Sequence, residues 1–256
     1  MNPTSLFMTT VLSLSFVDDR AAVKSYSTLT DKYHIDVQDV AKDDFGEIHD
    51  LRWTTPTPEA CQEYGRLLTK QINHYPVKLV EMAGLKKIVF CNNLTNKGKA
   101  ISGCAFGGTM WVDIGRKGVT FKRMVIHHEF FHLLDIRCSK LGIISPEFLV
   151  EWESLSGSAS YRGDGGGSQD DPITPASNDN NPGFVTWYAK KSVFEDRAEV
   201  FSHCILTPNR VARMAANDPV IKAKAEKMKQ LIIKICPDID DEFWVNHNAL
   251  DNDYDR

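Results

Sequence analysis

His128-Glu129-Phe130-Phe131-His132 places two histidines four residues apart with a carboxylate directly after the first. On a helix, which advances about 100° per residue, His128 and His132 project from one face roughly one turn, ~6 Å, apart. That is the separation two imidazoles need to share one metal ion, and imidazole nitrogen suits zinc. Glu129, offset by one position, reaches a water on such a metal and can act as its base.

A catalytic zinc takes three protein ligands and keeps one position for water, so the two histidines require a partner. One pattern continues the motif with x-x-Gly-x-x-His, but Asp135 and Cys138 stand where the glycine and histidine would be. Without that glycine the helix has no reason to turn back, and Cys138 stays more than a turn away along it. A later stretch, Phe194-Glu195-Asp196-Arg197-Ala198-Glu199-Val200-Phe201, offers two carboxylates four apart on one face of an apolar helix. Burying two acids side by side is costly unless a cation or hydrogen-bond donors meet them. One arrangement uses both: Glu195 binds zinc, and Glu199 accepts the N–H of a ligating histidine and orients it. His203, eight residues beyond Glu195, would lie about 12 Å along the helix axis, too far to share the ion, and reads as an ordinary helix histidine. Asp135, three residues after His132 on the ligand face, is a candidate for ordering the groups around the metal. His127 lies one position off that face and reads as a supporting or structural group.

The elements that must position these residues follow from caps and periodicity. Apolar positions from Val119 to Ile136, after Gly118 and ending near Gly142, predict a buried helix of about five turns carrying the motif. Thr57-Pro58 starts a helix that runs to about Asn73, and a shorter one begins at Pro76 and stops at Gly84. Lys87 to Cys91 and Thr109 to Ile114 read as strands, with Asn92 to Lys99 as a polar loop between them. A strand directly before the motif helix is either internal or an edge that can pair with an extended peptide. Ser145-Pro146 caps a helix to about Leu155, Ser192 to Leu206 forms the helix carrying the two glutamates, and Asp218-Pro219 opens a last helix through Ile235. Few strands mixed with many helices predict an α+β fold: a small mixed sheet packed on the motif helix, and a helical C-terminal part.

A chain of 256 residues with 42% hydrophobic and 25% charged content is long enough for one sizeable core. The expected organisation is a single domain over 23–256, preceded by a segment, 1–22, that reads as a strand or a poor signal peptide. It lacks a preceding Lys or Arg, and Asp18-Asp19-Arg20 stands where small residues would precede a cleavage site. The Gly- and Asp-rich stretch 156–182 predicts a mobile loop. A net charge of −4 argues against a nucleic-acid binder, and no stretch has the length and apolarity for stable membrane insertion. Six cysteines without a C-x-x-C pair suit buried hydrophobes and leave both a secreted or periplasmic and a cytoplasmic setting open. The oligomeric state is not encoded in any pattern here.

The conjunction of His128-Glu-Phe-Phe-His-Leu-Leu-Asp135, Pro182-Gly-Phe-Val-Thr-Trp-Tyr188 and Glu195-Asp-Arg-Ala-Glu199 resembles the gluzincin metallopeptidases related to the catalytic domain of anthrax lethal factor. It is also similar to a group of bacterial zinc-binding metallopeptidases. In lethal-factor-like enzymes a tyrosine precedes the ligand glutamate by seven residues and a second glutamate follows it by four, the spacing of Tyr188, Glu195 and Glu199. The resemblance covers about residues 105 to 206 and implies a zincin-like fold. It further implies one catalytic Zn2+ on His128, His132 and Glu195, Glu129 as general base, and a Tyr188 hydroxyl beside the oxyanion. The expected activity is peptide-bond hydrolysis, most simply as an endopeptidase on protein or peptide substrates. A zinc-stabilised binding module and an exopeptidase or amide hydrolase on the same site are the alternatives. A purely structural zinc needs four protein ligands and no base, so Glu129 and Tyr188 favour the enzyme.

Overall fold

The computed structural model of the chain describes residues 27–38, 50–116, 118–157, 161 and 181–245. The segment 1–22 and most of the stretch 156–182 lie outside them. Helical residues 27–33 (α1) lead into β1 (Asp36–Gln38), and β2 (Leu51–Thr54) precedes two helices, α2 (Pro58–Ile72) and α3 (Val77–Ala83). Then come β3 (Lys87–Asn96), β4 (Lys99–Ala100), β5 (Gly103–Phe106) and β6 (Thr109–Asp113). The rest is helical: α4 (Val119–Lys140), α5 (Pro146–Ser156), a 3-10 turn (Tyr188–Lys191), α6 (Val193–Leu206), α7 (Pro208–Asn217), α8 (Pro219–Ile235) and α9 (Asp241–Val245).

Helix starts obey local chemistry. Thr57 and Ser145 cap α2 and α5 through their hydroxyls, Asp218 caps α8 through its carboxylate, and each is followed by proline at the first helical position. Gly84 ends α3 in the left-handed region, φ 67°, where a side chain would be strained.

The sheet runs in the order β1-β3-β6-β5, with β2 and β4 also pairing to β3. β1 and β6 are parallel to the first half of β3, whereas β2 and β4 are antiparallel to its second half. The stretch Asn92–Asn96, expected as loop, is therefore strand. Its polar residues have low strand propensity, but β2 and β4 supply ladder partners that outweigh it. β6, the strand directly before the motif helix, is internal. The sheet ends instead on β5, antiparallel to β6 with Gly103 opposite Val112 and Phe106 opposite Thr109.

Period-two alternation splits the sheet between two cores. Ile88, Phe90, Met110 and Val112 face the helices in the main core, while Val89, Cys91 and Leu94 join Leu51 in a smaller cluster on the opposite face, with Trp53 and Trp111 packed against it. α4 lies in the main core, in contact with α2, α3, β5, β6 and α6, so it is buried on nearly every side. A helix enclosed in this way has no polar face to spare, and the titratable groups on it must find partners inside the protein.

Candidate metal centre

On α4, His128, Glu129 and His132 are each under 10% exposed, so the polar motif is sunk in the core. α6 packs across α4 and delivers Glu195 and Glu199 from its first two turns. Its start is fixed by Ser192, whose hydroxyl accepts from the Glu195 backbone N–H at 3.2 Å. Ser192-x-x-Glu195 has the sequence of a reciprocal capping box. Here the Glu195 side chain turns away from the helix end to the histidines.

Three atoms of metal-ligating type converge. Glu195 Oε2 lies 3.0 Å from His128 Nε2 and 3.2 Å from His132 Nε2, and the two imidazole nitrogens are 3.0 Å apart. Ligand atoms bonded to one tetrahedral zinc at about 2.0–2.1 Å stand roughly 3.3–3.4 Å from each other. The donor set fits the ion to within a few tenths of an ångström, and His128, His132 and Glu195 could hold a metal. Cys138 and His203 do not join them.

The surroundings orient the donors. Glu199 Oε1 accepts from His128 Nδ1 at 2.8 Å, which directs the opposite ring nitrogen, Nε2, at the cluster. Thr186 donates its hydroxyl to the other Glu199 oxygen at 2.7 Å, and the same hydroxyl accepts from Ala189 N–H at 3.1 Å. Phe194 stacks on His132 with ring centroids 4.1 Å apart and planes within 10°, holding that imidazole's plane. Burial opposes charge on Glu195, yet hydrogen bonds from His128 and His132 outweigh it and hold the carboxyl well below its usual range. For Glu129 burial prevails, reinforced by the charge of Glu195 and opposed by His128 and Lys191, and its pKa rises to about 7.

Tyr188 sits on the 3-10 turn, its hydroxyl 3.3 Å from Glu195 Oε1 and its ring centroid 5.9 Å from that of His128. Asp135, the candidate for ordering the groups around the metal, lies on α4 three residues after His132 and pairs with Arg197. Its two oxygens accept from Arg197 Nη2 and Nε at 2.7 and 3.3 Å, a buried pair that joins α4 to α6 beside the cluster. His127 is structural: it bonds Tyr75 and, at 3.1 Å, Gln71 on α2. His203 is no ligand, but its Nε2 lies 3.9 Å from Glu199 Oε2 and its Nδ1 bonds Thr207 at 2.8 Å.

Three neighbours of the site were not singled out from sequence. Lys191 Nζ bonds both Glu195 Oε1 and the Tyr188 hydroxyl. Gly103 on β5 lies so close to Glu129 that a Cβ there would sit 2.6 Å from its Cγ. Asp196, next to Glu195, is buried and gathers Trp152, Tyr161 and Lys224 onto one oxygen at 2.7–2.8 Å, anchoring α6 to α5 and α8. Of these only Lys191 left a local signal, its spacing of three from Tyr188 and four from Glu195.

No protein-family model matches the chain, and no curated protein matches it. A solved structure described as a "putative zinc-binding metallo-peptidase" from Bacteroides caccae is similar, with a TM-score of 0.59 at 18% sequence identity over 96% of this chain and 97% of that one. At that identity the likeness is one of fold. The chain shares the α+β fold of that structure, a small mixed sheet packed on the motif helix with a helical C-terminal part.

Proposed function

We propose that the chain is a zinc-dependent endopeptidase of gluzincin type, with one catalytic ion held by His128, His132 and Glu195. The observation that carries the reading is the meeting of those three donor atoms within 3.2 Å while Glu129, on the same helix, keeps a buried carboxyl free of the cluster. Bound zinc would supply a Lewis acid that polarises a peptide carbonyl and acidifies a water. Glu129 takes the proton from the attacking water and hands it to the leaving amide nitrogen. Tyr188 directs its hydroxyl to the carbonyl oxygen as charge develops there. Glu199 holds His128 in the required tautomer, and the Asp135–Arg197 pair holds α4 and α6 in register behind it.

Support for a peptide substrate comes from the sheet. β5 ends the strand order alongside α4, so an extended chain can add to it by main-chain hydrogen bonds near Glu129. A structural zinc would want a fourth protein ligand, and among the described residues the cluster offers three.

Metal analysis together with cleavage of a proteome-derived peptide library tests the proposal. Wild type is expected to carry one zinc and to cleave internal bonds. Glu129→Gln should keep the zinc and lose cleavage, and Glu195→Ala should lose the zinc while retaining the fold. A Glu129→Gln chain cleaving at the wild-type rate, or a zinc-replete Glu195→Ala, would overturn the assignment.

A further inference from the structure

Glu195 uses its two oxygens in opposite directions. Oε2 faces the histidines at 3.0 and 3.2 Å, while Oε1 meets Lys191 Nζ at 3.0 Å and the Tyr188 hydroxyl at 3.3 Å. Lys191 Nζ also donates to the Tyr188 oxygen at 3.1 Å, closing a triangle of ammonium, phenol and carboxylate. The backbone makes this triangle. Tyr188 and Lys191 are the first and last residues of the 3-10 turn, and in a 3-10 helix side chains three apart eclipse one another. Ser192 then caps α6 and sets Glu195 four residues beyond Lys191, so both partners are brought to the ammonium by local geometry.

Resting on the metal-site reading above, we propose that Lys191 is a positioning residue for the metal: it pins the outer oxygen of Glu195, so the carboxylate presents Oε2 alone to zinc, and it fixes where the Tyr188 hydroxyl points. A carboxylate can bind a metal through one oxygen or two, and the choice is set by what holds the second oxygen. A phenol alone at 3.3 Å is a weak hold, whereas a charge-assisted N–H donor at 3.0 Å fixes rotation of the carboxylate. The ammonium also brings positive charge to a site that gathers the Glu129, Glu195 and Glu199 carboxyl groups. The Lys191 side chain is 34% exposed, within reach of substitution without opening the core.

The test measures metal affinity apart from catalysis. Zinc affinity is measured by chelator competition, and the absorption spectrum is recorded with cobalt(II) in place of zinc, for wild type, Lys191→Met, Lys191→Gln and Lys191→Arg. Removing a group that orients a metal ligand typically costs 10–100-fold in affinity. Lys191→Met is expected to bind zinc about tenfold or more weakly with an altered cobalt spectrum. Lys191→Arg, which keeps the charge and the donors, should restore both to near wild type. Lys191→Gln replaces the methionine variant should that one fail to fold, with the same expectation. Zinc affinity and cobalt spectrum unchanged in Lys191→Met overturn the inference alone, and so do equal losses in the methionine and arginine variants, which would indicate packing. A wild type that takes up no zinc overturns the reading of the site and this inference with it.

Discussion

His128 is gripped from both ends of its ring, by Glu199 at Nδ1 and by the cluster at Nε2, so its tautomer is set by a carboxylate that never needs to touch the metal. Glu199→Gln keeps the shape but can offer an amide N–H where an acceptor is required. Zinc affinity is expected to fall about 10–100-fold with the fold intact, and unchanged affinity in a chelator competition would remove Glu199 from the site. His203, beyond Glu199, tells a separate story. Burial, joined by the charge of Arg210, pushes its imidazole from 6.5 down to about 3, so the folded chain refuses a proton that the unfolded chain accepts between those values. Stability is thus present above 6.5 and is lost as pH falls through that window, at up to about 1.4 kcal/mol per pH unit. His203→Gln should flatten the decline between pH 6.5 and 5 in urea denaturation, and an identical slope would show that the imidazole is not held neutral. At this scale the sequence was informative wherever spacing on a single helix does the work, as for His128 with His132 and Glu195 with Glu199. Lys191 carried only a weak signal, its spacing from Tyr188 and Glu195, because a 3-10 turn and not an α-helix aligns it with Tyr188.

Elements announce themselves by their ends. The helices beginning at Pro58, Pro146 and Pro219 were legible from Thr57, Ser145 and Asp218, each of which caps through its side chain, whereas the helix at Val193, which Ser192 caps, was legible from its apolar run. Thr207-Pro208 carries a similar start signature and opens α7, although the Thr207 side chain makes no cap hydrogen bond. Strands were read less well. β5 is Gly-Cys-Ala-Phe, four residues with little β-branched character, and its existence depends on β6 beside it. That strand nevertheless sets the position of Glu129, the proposed base. A methyl at Gly103 would fall 2.6 Å from Glu129 Cγ and 2.7 Å from its Oε1, closer than real carbon contacts come. Gly103→Ala must therefore push either β5 or Glu129 aside. The atoms a Cβ there would meet first all belong to Glu129 and not to the proposed zinc donors, so zinc stoichiometry is expected to stay at one while peptide hydrolysis drops tenfold or more, since displacing a positioned group by about 1 Å can cost ~100-fold. Full activity in the alanine variant would show that β5 yields without disturbing the base.

At the level of the whole molecule, the candidate centre is a joint between α4 and α6. Its donors come from both helices, and it is reinforced nearby by Asp135–Arg197 and behind α6 by Asp196–Lys224, both pairs almost wholly buried. Buried ion pairs hold orientation well but contribute little net stability against apolar packing, because desolvation offsets their attraction. Three carboxyl groups and two imidazoles packed in the core, with the Lys191 ammonium meeting one of them, add a cost of the same kind. A bound divalent ion relieves that cost and adds its own binding free energy to folding, about 2.7–4.1 kcal/mol when the free ion is 100–1,000 times its dissociation constant. For a chain of this size each kcal/mol moves the thermal midpoint roughly 2–4 °C, so stripping zinc with a chelator should lower the midpoint by on the order of 10 °C, and added zinc should restore it. Glu195→Ala, which removes the donor that α6 contributes, should start low and respond to neither treatment. Scanning calorimetry of both chains with and without chelator makes the comparison. If wild type melts at the same temperature in all conditions, the joint is held by protein groups alone and the zinc centre is not there.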